Sequence, residues 1–338
     1  MRVKEALKKC IKPVGVVFII MLVVVSCVPG DTIVSDVSIV NFVDVEELGH
    51  NSSSEVIDSK ETFYNTLTPD EQDYVQMLKL SGSLPVAMRI DGTITRQKKG
   101  FGMDGFHYNL LMLFAEYLEV PVEINLSSFN RYFENDGFIP SDIKVNENIR
   151  YTPDAFDDSL MLVDNLTIMP WREKLMDFIE IIPVSVVIMT TDDLIINDLQ
   201  ELNGLEVAVT ASTSYASIME DLIKTYDLDI KVNYVSDSHR AKIMMLEGGA
   251  DFVFRDSNTA LYEAVNNDRF NVSFSVSKPD SIGWAVEKDN QVLKSIGEKF
   301  IRYTIETGEL EDLWVKEYGI PFRAYSDILR VMDYTNKN

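Results

Sequence analysis

Residues 165–178 read NLTIMPWREKLMDF, and this stretch says more about the fold than any other part of the chain. Thr167 supplies a hydroxyl, backbone amides follow it at a predicted helix start, and a guanidinium stands five residues later at Arg172. Such an arrangement can bind a carboxylate through two parallel hydrogen bonds. In the alternative interpretation, Arg172 pairs with a surface acid and Thr167 only caps a helix.

Short apolar strands alternate with amphipathic helices on both sides of this stretch, which is typical of an α/β fold. A capping box at Thr68 and Glu71 predicts a helix over residues 69–80, and residues 106–118 carry one apolar stripe. Strands are predicted at 84–90, 122–126, 160–163, 185–190, 205–210, 231–235, 251–254 and 283–286, with further helices at 215–226, 239–247 and 258–265. Residues 130–158 have no sustained period, and no element is predicted there.

The composition fits a folded, soluble protein of about two domains. The chain has 338 residues, of which 46% are hydrophobic and 25% charged, and its net charge of −23 repels phosphate backbones. No nucleic-acid partner is therefore expected. The sequence predicts no metal, no cofactor and no enzymatic activity, because its three histidines are scattered and it contains no G-x-S-x-G, H-E-x-x-H or P-loop motif. The sequence GFGMDG at 100–105 matches a dinucleotide-binding pattern, but no strand runs directly into it, so a glycine-rich turn is predicted.

The N-terminus is typical of an export signal. Five basic residues precede the apolar stretch 14–25, which as a helix spans only about 18 Å of a hydrocarbon core that is ~30 Å thick. Val24-Val25-Ser26-Cys27 resembles a bacterial lipobox, so we expect cleavage after residue 26 and lipidation of Cys27 at the cell envelope. The mature chain would then carry a net charge of −27, because five basic residues and one acid leave with the signal. An uncleaved anchor and ordinary cleavage remain the alternatives.

Several motifs resemble those of the family 3 extracellular solute-binding proteins. The stretch 165–178 is similar to that family's N-L-T-I-T-P-E-R-x-K-x-x-D-F, and GFHYNL at 105–110 is similar to G-F-D-x-D-L. Residues 202–209 resemble the start of the family's second lobe, and 249–256 resemble G-x-x-D-A-x-x-x-D. The resemblance extends from about residue 67 to residue 319. Parts of it also resemble binding modules of bacterial sensor proteins and of membrane-bound lytic transglycosylases.

This resemblance implies a type II periplasmic-binding-protein fold with two α/β lobes, each a mixed sheet flanked by helices, and a ligand cleft between the lobes. The expected segments are the signal peptide 1–26, an acidic tether 27–66, lobe 1 at 67–189 and again at 278–322, lobe 2 at 190–277, and a tail at 323–338.

The resemblance also implies the ligand-binding residues. Asn165, Thr167 and Arg172 are expected from lobe 1, together with Asp91, which lies in a segment where the family carries an aromatic residue. Lobe 2 is expected to supply Ser212, Thr213 and Asp256, with Asp256 binding the ligand ammonium. In the alternative, Asp256 only caps the following helix. His107 departs from the family pattern, which has an aspartate at this position.

The expected function is that of an exported, lipid-anchored, monomeric solute-binding protein. It would capture a small polar ligand that bears a carboxylate, such as an amino acid, for an ABC-type transporter. One alternative is a module that senses a ligand for a receptor or binds cell-wall muropeptides without catalysis. The other is a dehydratase-like enzyme, since one fold can host unrelated functions.

Overall fold

A computed structural model describes residues 53–90, 95–97, 102–191, 193–211 and 213–332. The predicted signal peptide, Cys27, most of the acidic tether, Asp91 and Ser212 lie outside the described residues.

The elements follow one another in the alternating order that the sequence predicts. The strands are β1 (Leu84–Met88), β2 (Arg96–Gln97), β3 (Met103–Asp104), β4 (Val122–Leu126), β5 (Met161–Thr167), β6 (Met176–Val184), β7 (Val186–Thr191), β8 (Glu206–Thr210), β9 (Lys231–Val235), β10 (Phe252–Asp256), β11 (Phe270–Ser275) and β12 (Asp280–Glu287). The helices are α1 (Ser53–Tyr64), α2 (Pro69–Ser81), α3 (Phe106–Leu118), α4 (Pro170–Glu173), α5 (Ser214–Tyr226), α6 (Ser238–Leu246), α7 (Ser257–Asn266), α8 (Gln291–Thr307), α9 (Glu309–Tyr318) and α10 (Phe322–Met332).

Two mixed sheets form the two lobes, which confirms the predicted fold class. The first sheet has the order β4-β1-β5-β12-β6 and the second the order β11-β7-β10-β8-β9. In the first, β4, β1 and β5 are parallel and β12 is antiparallel to both neighbours; in the second, β10, β8 and β9 are parallel. Ligands of open α/β sheets bind beyond the carboxyl ends of parallel strands, which here are the ends of β5, β8 and β10.

The chain passes twice between the lobes. It leaves the first sheet after β6 and enters the second at β7, so that Ser185 is the connection, and it returns between β11 and β12. The sequence placed the first crossing near Thr190, which lies inside β7. The difference arises because residues 186–191 pair with β10 and β11, and therefore belong to the second sheet.

Lobe 1 is built on the apolar faces of two helices. The stripe of α3 that the sequence predicted is buried, and α8 buries Leu293, Ile296 and Phe300 against the same core. Burial of each such side chain contributes about 1.5–3 kcal/mol. The predicted capping box of α2 is also formed, since Thr68 Oγ1 accepts from the Glu71 backbone and Glu71 Oε2 accepts from the Thr68 backbone.

The folded region extends beyond the expected limits at both ends. Residues 53–64 were assigned to the tether but form α1, whose Phe63 is buried against Tyr117 and Phe300. Residues 323–332 were assigned to the tail but form most of α10, whose Tyr325 and Leu329 are buried. No helix of the described residues is both long and apolar enough to cross a membrane.

Residues 130–158 contribute a small second core to lobe 1 with little regular structure. Two single 3₁₀ turns, Asn130–Tyr132 and Asp154–Asp157, are joined by loops. Phe133 is fully buried in this core, and Lys174 holds the segment by donating to two of its backbone carbonyl groups. The segment thereby places Phe133 next to Arg172.

Candidate functional site

A cleft of about 660 Å³ lies between the two lobes. It is lined by the carboxyl ends of β5, β8 and β10, by the N-termini of α5 and α6, and by the loop around Phe129. Its volume is in the range of small-molecule sites, which is about 300–1,000 Å³. No group of three or more histidine, cysteine or carboxylate side chains placed to hold a metal ion occurs in the described part of the chain.

Arg172 is buried in the lobe 1 wall of the cleft, where α4 follows β5. Its Nη1 donates to the carbonyl oxygen of Thr167 at 2.8 Å, while its Nε has no hydrogen-bond partner. The guanidinium carbon lies 4.7 Å from the ring centre of Phe133, 5.3 Å from that of Trp171 and 5.8 Å from that of Phe129. Burial lowers the pKa of Arg172 to about 10, against the attraction of nearby carboxylates. The group therefore remains a cation at neutral pH.

A second guanidinium in this wall is already paired. Arg89 binds Asp164 through two hydrogen bonds, Nε to Oδ2 at 2.9 Å and Nη2 to Oδ1 at 3.2 Å, and it also stacks on Phe129. Burial would raise the pKa of Asp164, but the Arg89 guanidinium keeps that pKa below its usual value. Arg172 is thus the better candidate to bind an anionic ligand.

Asp256 lies in the lobe 2 wall, at the end of β10. Its Oδ2 accepts from Asn165 Nδ2 at 2.6 Å, and its Oδ1 is buried without a partner. Burial raises the pKa of Asp256 to about 6, although Tyr215, Arg172 and Arg255 oppose the shift. Asp256 occupies the N-cap position of α7, but its side chain makes no capping hydrogen bond. The carboxylate is therefore available to the cleft.

The structure brings five of the expected site residues together around one cleft, namely Asn165, Thr167, Arg172, Thr213 and Asp256. Asn165, Thr167 and Arg172 belong to lobe 1, and Thr213 and Asp256 to lobe 2. The Thr213 hydroxyl donates to the Thr210 carbonyl at 2.6 Å.

Sequence reasoning missed several polar residues of the lobe 2 wall. Thr210 ends β8, and its buried hydroxyl has no hydrogen-bond partner. Arg255 and Lys242 both approach Glu263, with Lys242 Nζ 2.7 Å from a carboxylate oxygen. Thr210 stands just before the expected site residues Ser212 and Thr213, which was the available signal. Nothing in the sequence indicated that Lys242 and Glu263 meet.

Comparisons with known proteins agree with this architecture. No protein-family model matches the chain. A membrane-bound lytic murein transglycosylase F of Saccharophagus degradans is 24% identical over 254 residues, which cover 72% of this chain but only 46% of that protein. The chain thus spans about half the length of this relative.

Solved structures of binding proteins are similar over most of the folded region. An ancestral amino acid-binding protein, a precursor of cyclohexadienyl dehydratase, has a TM-score of 0.59 at 19% identity and covers 72% of this chain and 99% of its own. The substrate-binding protein AbpA of an amino acid ABC transporter from Streptococcus pneumoniae, bound to L-arginine, also has a TM-score of 0.59, at 17% identity, and covers 72% and 98% of the two chains. The chain therefore has the two-lobed type II periplasmic-binding-protein fold, and its resemblance to the family 3 solute-binding proteins extends from the sequence motifs to the tertiary structure.

Proposed function

We propose that this protein is an exported, lipid-anchored solute-binding protein that captures an amino acid or a related small zwitterion for an ABC-type permease. One observation carries the ligand-binding part of the proposal. The cleft lining includes buried side-chain atoms that lack a hydrogen-bond partner in the described residues, among them Arg172 Nε, Thr210 Oγ1 and Asp256 Oδ1. Leaving such an atom unpaired costs about 1–3 kcal/mol. A ligand that pairs with them recovers this energy.

The charges of these groups support a zwitterionic ligand. Arg172 in lobe 1 donates to a carboxylate, and Asp256 in lobe 2 accepts from an ammonium group. A ligand that carries both groups therefore contacts both lobes, and its higher affinity for the closed form drives closure. The pneumococcal neighbour is bound to L-arginine, which supports an amino acid as the ligand.

A thermal-shift screen of the twenty L-amino acids, small peptides and muropeptides, followed by calorimetry, tests the proposal. A specific ligand at 100 times its dissociation constant stabilises the folded state by about 2.7 kcal/mol. Asp256→Asn should weaken the best ligand while sparing its analogue without the α-amino group. Failure of every amino acid and peptide would refute the proposal, and turnover of prephenate-like acids would instead support a dehydratase.

A cell-wall binding module is the second candidate, because the similarity to the lytic transglycosylase covers 72% of this chain. Stabilisation by muropeptides alone in the same screen would favour this function over transport.

The anchor is tested separately. Cys27→Ala should abolish incorporation of radiolabelled lipid and release the protein from membranes, because the acylated side chain would be lost. Unchanged lipid incorporation would contradict lipidation at Cys27, whatever the ligand screen finds.

A further inference from the structure

His107 is fully buried in the first turn of α3, and it contacts Asn165, which lines the cleft. The indole Nε1 of Trp284 donates to His107 Nδ1 at 3.0 Å. An indole nitrogen can only donate, so His107 Nδ1 carries no proton and the proton of the neutral ring lies on Nε2. This Nε2 is 3.3 Å from Asn165 Oδ1. His107 therefore donates to the side-chain oxygen of Asn165.

The Asn165 side chain has one compatible orientation among these partners. Its Oδ1 also accepts from Asn258 Nδ2 at 3.0 Å, and its Nδ2 donates to Asp256 Oδ2 at 2.6 Å. Rotating the amide by half a turn would place its NH2 group against two donors and its oxygen against a carboxylate. Each of these contacts would be repulsive, and the buried partners would lose their hydrogen bonds.

We propose that His107 is a positioning residue that fixes the Asn165 amide as a hydrogen-bond donor to the cleft. Asn165 and Arg172 both line the cleft, and the Asn165 NH2 group, which has two N–H bonds, donates one to Asp256 within the described residues. The other N–H can donate to a ligand carboxylate, so that lobe 1 presents donors and Asp256 in lobe 2 presents the acceptor. The ligand part of this inference rests on the proposed function, whereas the hydrogen-bond chain does not.

Three variants of His107 separate positioning from packing. His107→Gln keeps a donor near the position of Nε2 and should preserve the Asn165 orientation. His107→Asn places its amide near Nδ1, so it can serve Trp284 but cannot reach Asn165. His107→Phe removes both polar contacts. Circular dichroism and thermal melting establish that each variant is folded before it is compared.

The first measurement needs no ligand. Nitrogen-15 shifts of the imidazole in the wild-type protein should show a protonated Nε2 and an unprotonated Nδ1 at pH 7.5. The Asn165 side-chain amide should exchange slowly with solvent in the wild type and in His107→Gln, and at least tenfold faster in His107→Asn. A ring protonated on Nδ1, or equal exchange in all folded variants, would overturn the proposal.

The second measurement is calorimetry with L-arginine, and with L-argininamide, which lacks the carboxylate. His107→Asn should weaken L-arginine about tenfold and leave L-argininamide nearly unchanged, whereas His107→Gln should retain both affinities. Equal weakening of both compounds would contradict a donor role toward a carboxylate. If the wild-type protein binds neither compound, L-arginine is not a ligand of this protein. The nitrogen-15 shifts and the amide exchange rates then decide the role of His107 by themselves.

Discussion

Arg172 packs against aromatic rings, and the carboxylates of Asp256 and Asp164 attract it without a direct ion pair. No salt bridge to this residue occurs within the described segments, and its guanidinium instead lies close to the rings of Phe133, Trp171 and Phe129. A guanidinium is weakly hydrated and stacks on rings, so it can be buried while its N–H groups remain available. These contacts indicate that truncation to alanine would remove packing as well as charge.

Arg172→Met is therefore the sharper test of the carboxylate clamp, since it retains much of the apolar stem. Calorimetry should show a loss of about 2–5 kcal/mol in binding a carboxylate ligand, because the ligand charge would be buried without its partner. Arg172→Lys should recover only part of this loss, because one ammonium cannot form the paired contact. Arg302→Ala, at an exposed position of α8, is the control and should bind normally. Unchanged affinity in Arg172→Met would place the carboxylate elsewhere.

The raised pKa of Asp256, about 6, predicts pH-dependent binding of an amine-bearing ligand. Only the ionised carboxylate pairs with an ammonium, so affinity should fall about tenfold between pH 7 and pH 5. Because the folded-state pKa of Asp256 lies above the ordinary value of 3.8, the protonated carboxyl stabilises the ligand-free folded state at low pH. This contribution to the free energy of unfolding is lost as the pH rises through about 6. Asp256→Asn should bind the ligand weakly with a flat profile between pH 5 and 7. An equal pH slope in wild type and variant would assign the effect to another group.

At the scale of elements, the C-terminal helix α10 belongs to the folded unit. Tyr325 is buried, and its hydroxyl lies 2.7 Å from Ser257 Oγ and donates to the Pro183 carbonyl at 3.1 Å. Pro183 belongs to β6 in lobe 1, and Ser257 directly follows Asp256 in lobe 2. The helix therefore contacts both lobes next to the Ser185 crossing.

Leu329→Ala should lower the free energy of unfolding by about 2–4 kcal/mol, because this fully packed side chain would leave a cavity. Arg323→Ala, on an exposed position of the same helix, should change it by less than about 0.5 kcal/mol. Chemical denaturation monitored by circular dichroism measures both. Equal stability of the two variants would show that α10 is not part of the cooperative unit.

At the scale of the whole molecule, two crossings of the chain join the lobes, and we expect any closure of the cleft to bend the chain there. Asn165 in lobe 1 forms hydrogen bonds with Asp256 and Asn258 in lobe 2, so the two lobes are already linked in the ligand-free protein. A ligand held between Arg172 and Asp256 would add a further link between the lobes, and the lobes should close on it.

Small-angle scattering should therefore report a smaller radius of gyration when an amine-bearing carboxylate ligand saturates the protein. Asp256→Asn, at the same ligand concentration, should remain open because one lobe loses its contact. A saturated wild-type protein with an unchanged radius of gyration would contradict ligand-driven closure.

The sequence by itself determined the local elements and the segments that carry the site. The sequence predicts the capping box at Thr68 and the buried stripe of α3, and it indicates a site at 165–178. Each of these features depends on residues within about a dozen positions of one another. The residue types in the stretch 165–178 indicated Arg172, and the resemblance to the solute-binding proteins implied Asp256. Only the fold established that both residues line one cleft.

The tertiary structure alone decided which distant residues meet. Phe63 is buried because Tyr117 and Phe300 lie beside it, and no local period of α1 indicates those contacts. The crossing at Ser185 depends on the pairing of β7 with β10 and β11, and strand pairing is not encoded in the strand's own period of two. In the same way, His107 differed visibly from the family pattern, but its role depends on Trp284, 177 positions away, and on Asn165. Hydrogen bonds between elements far apart in the chain follow from packing, so only the folded structure could show them.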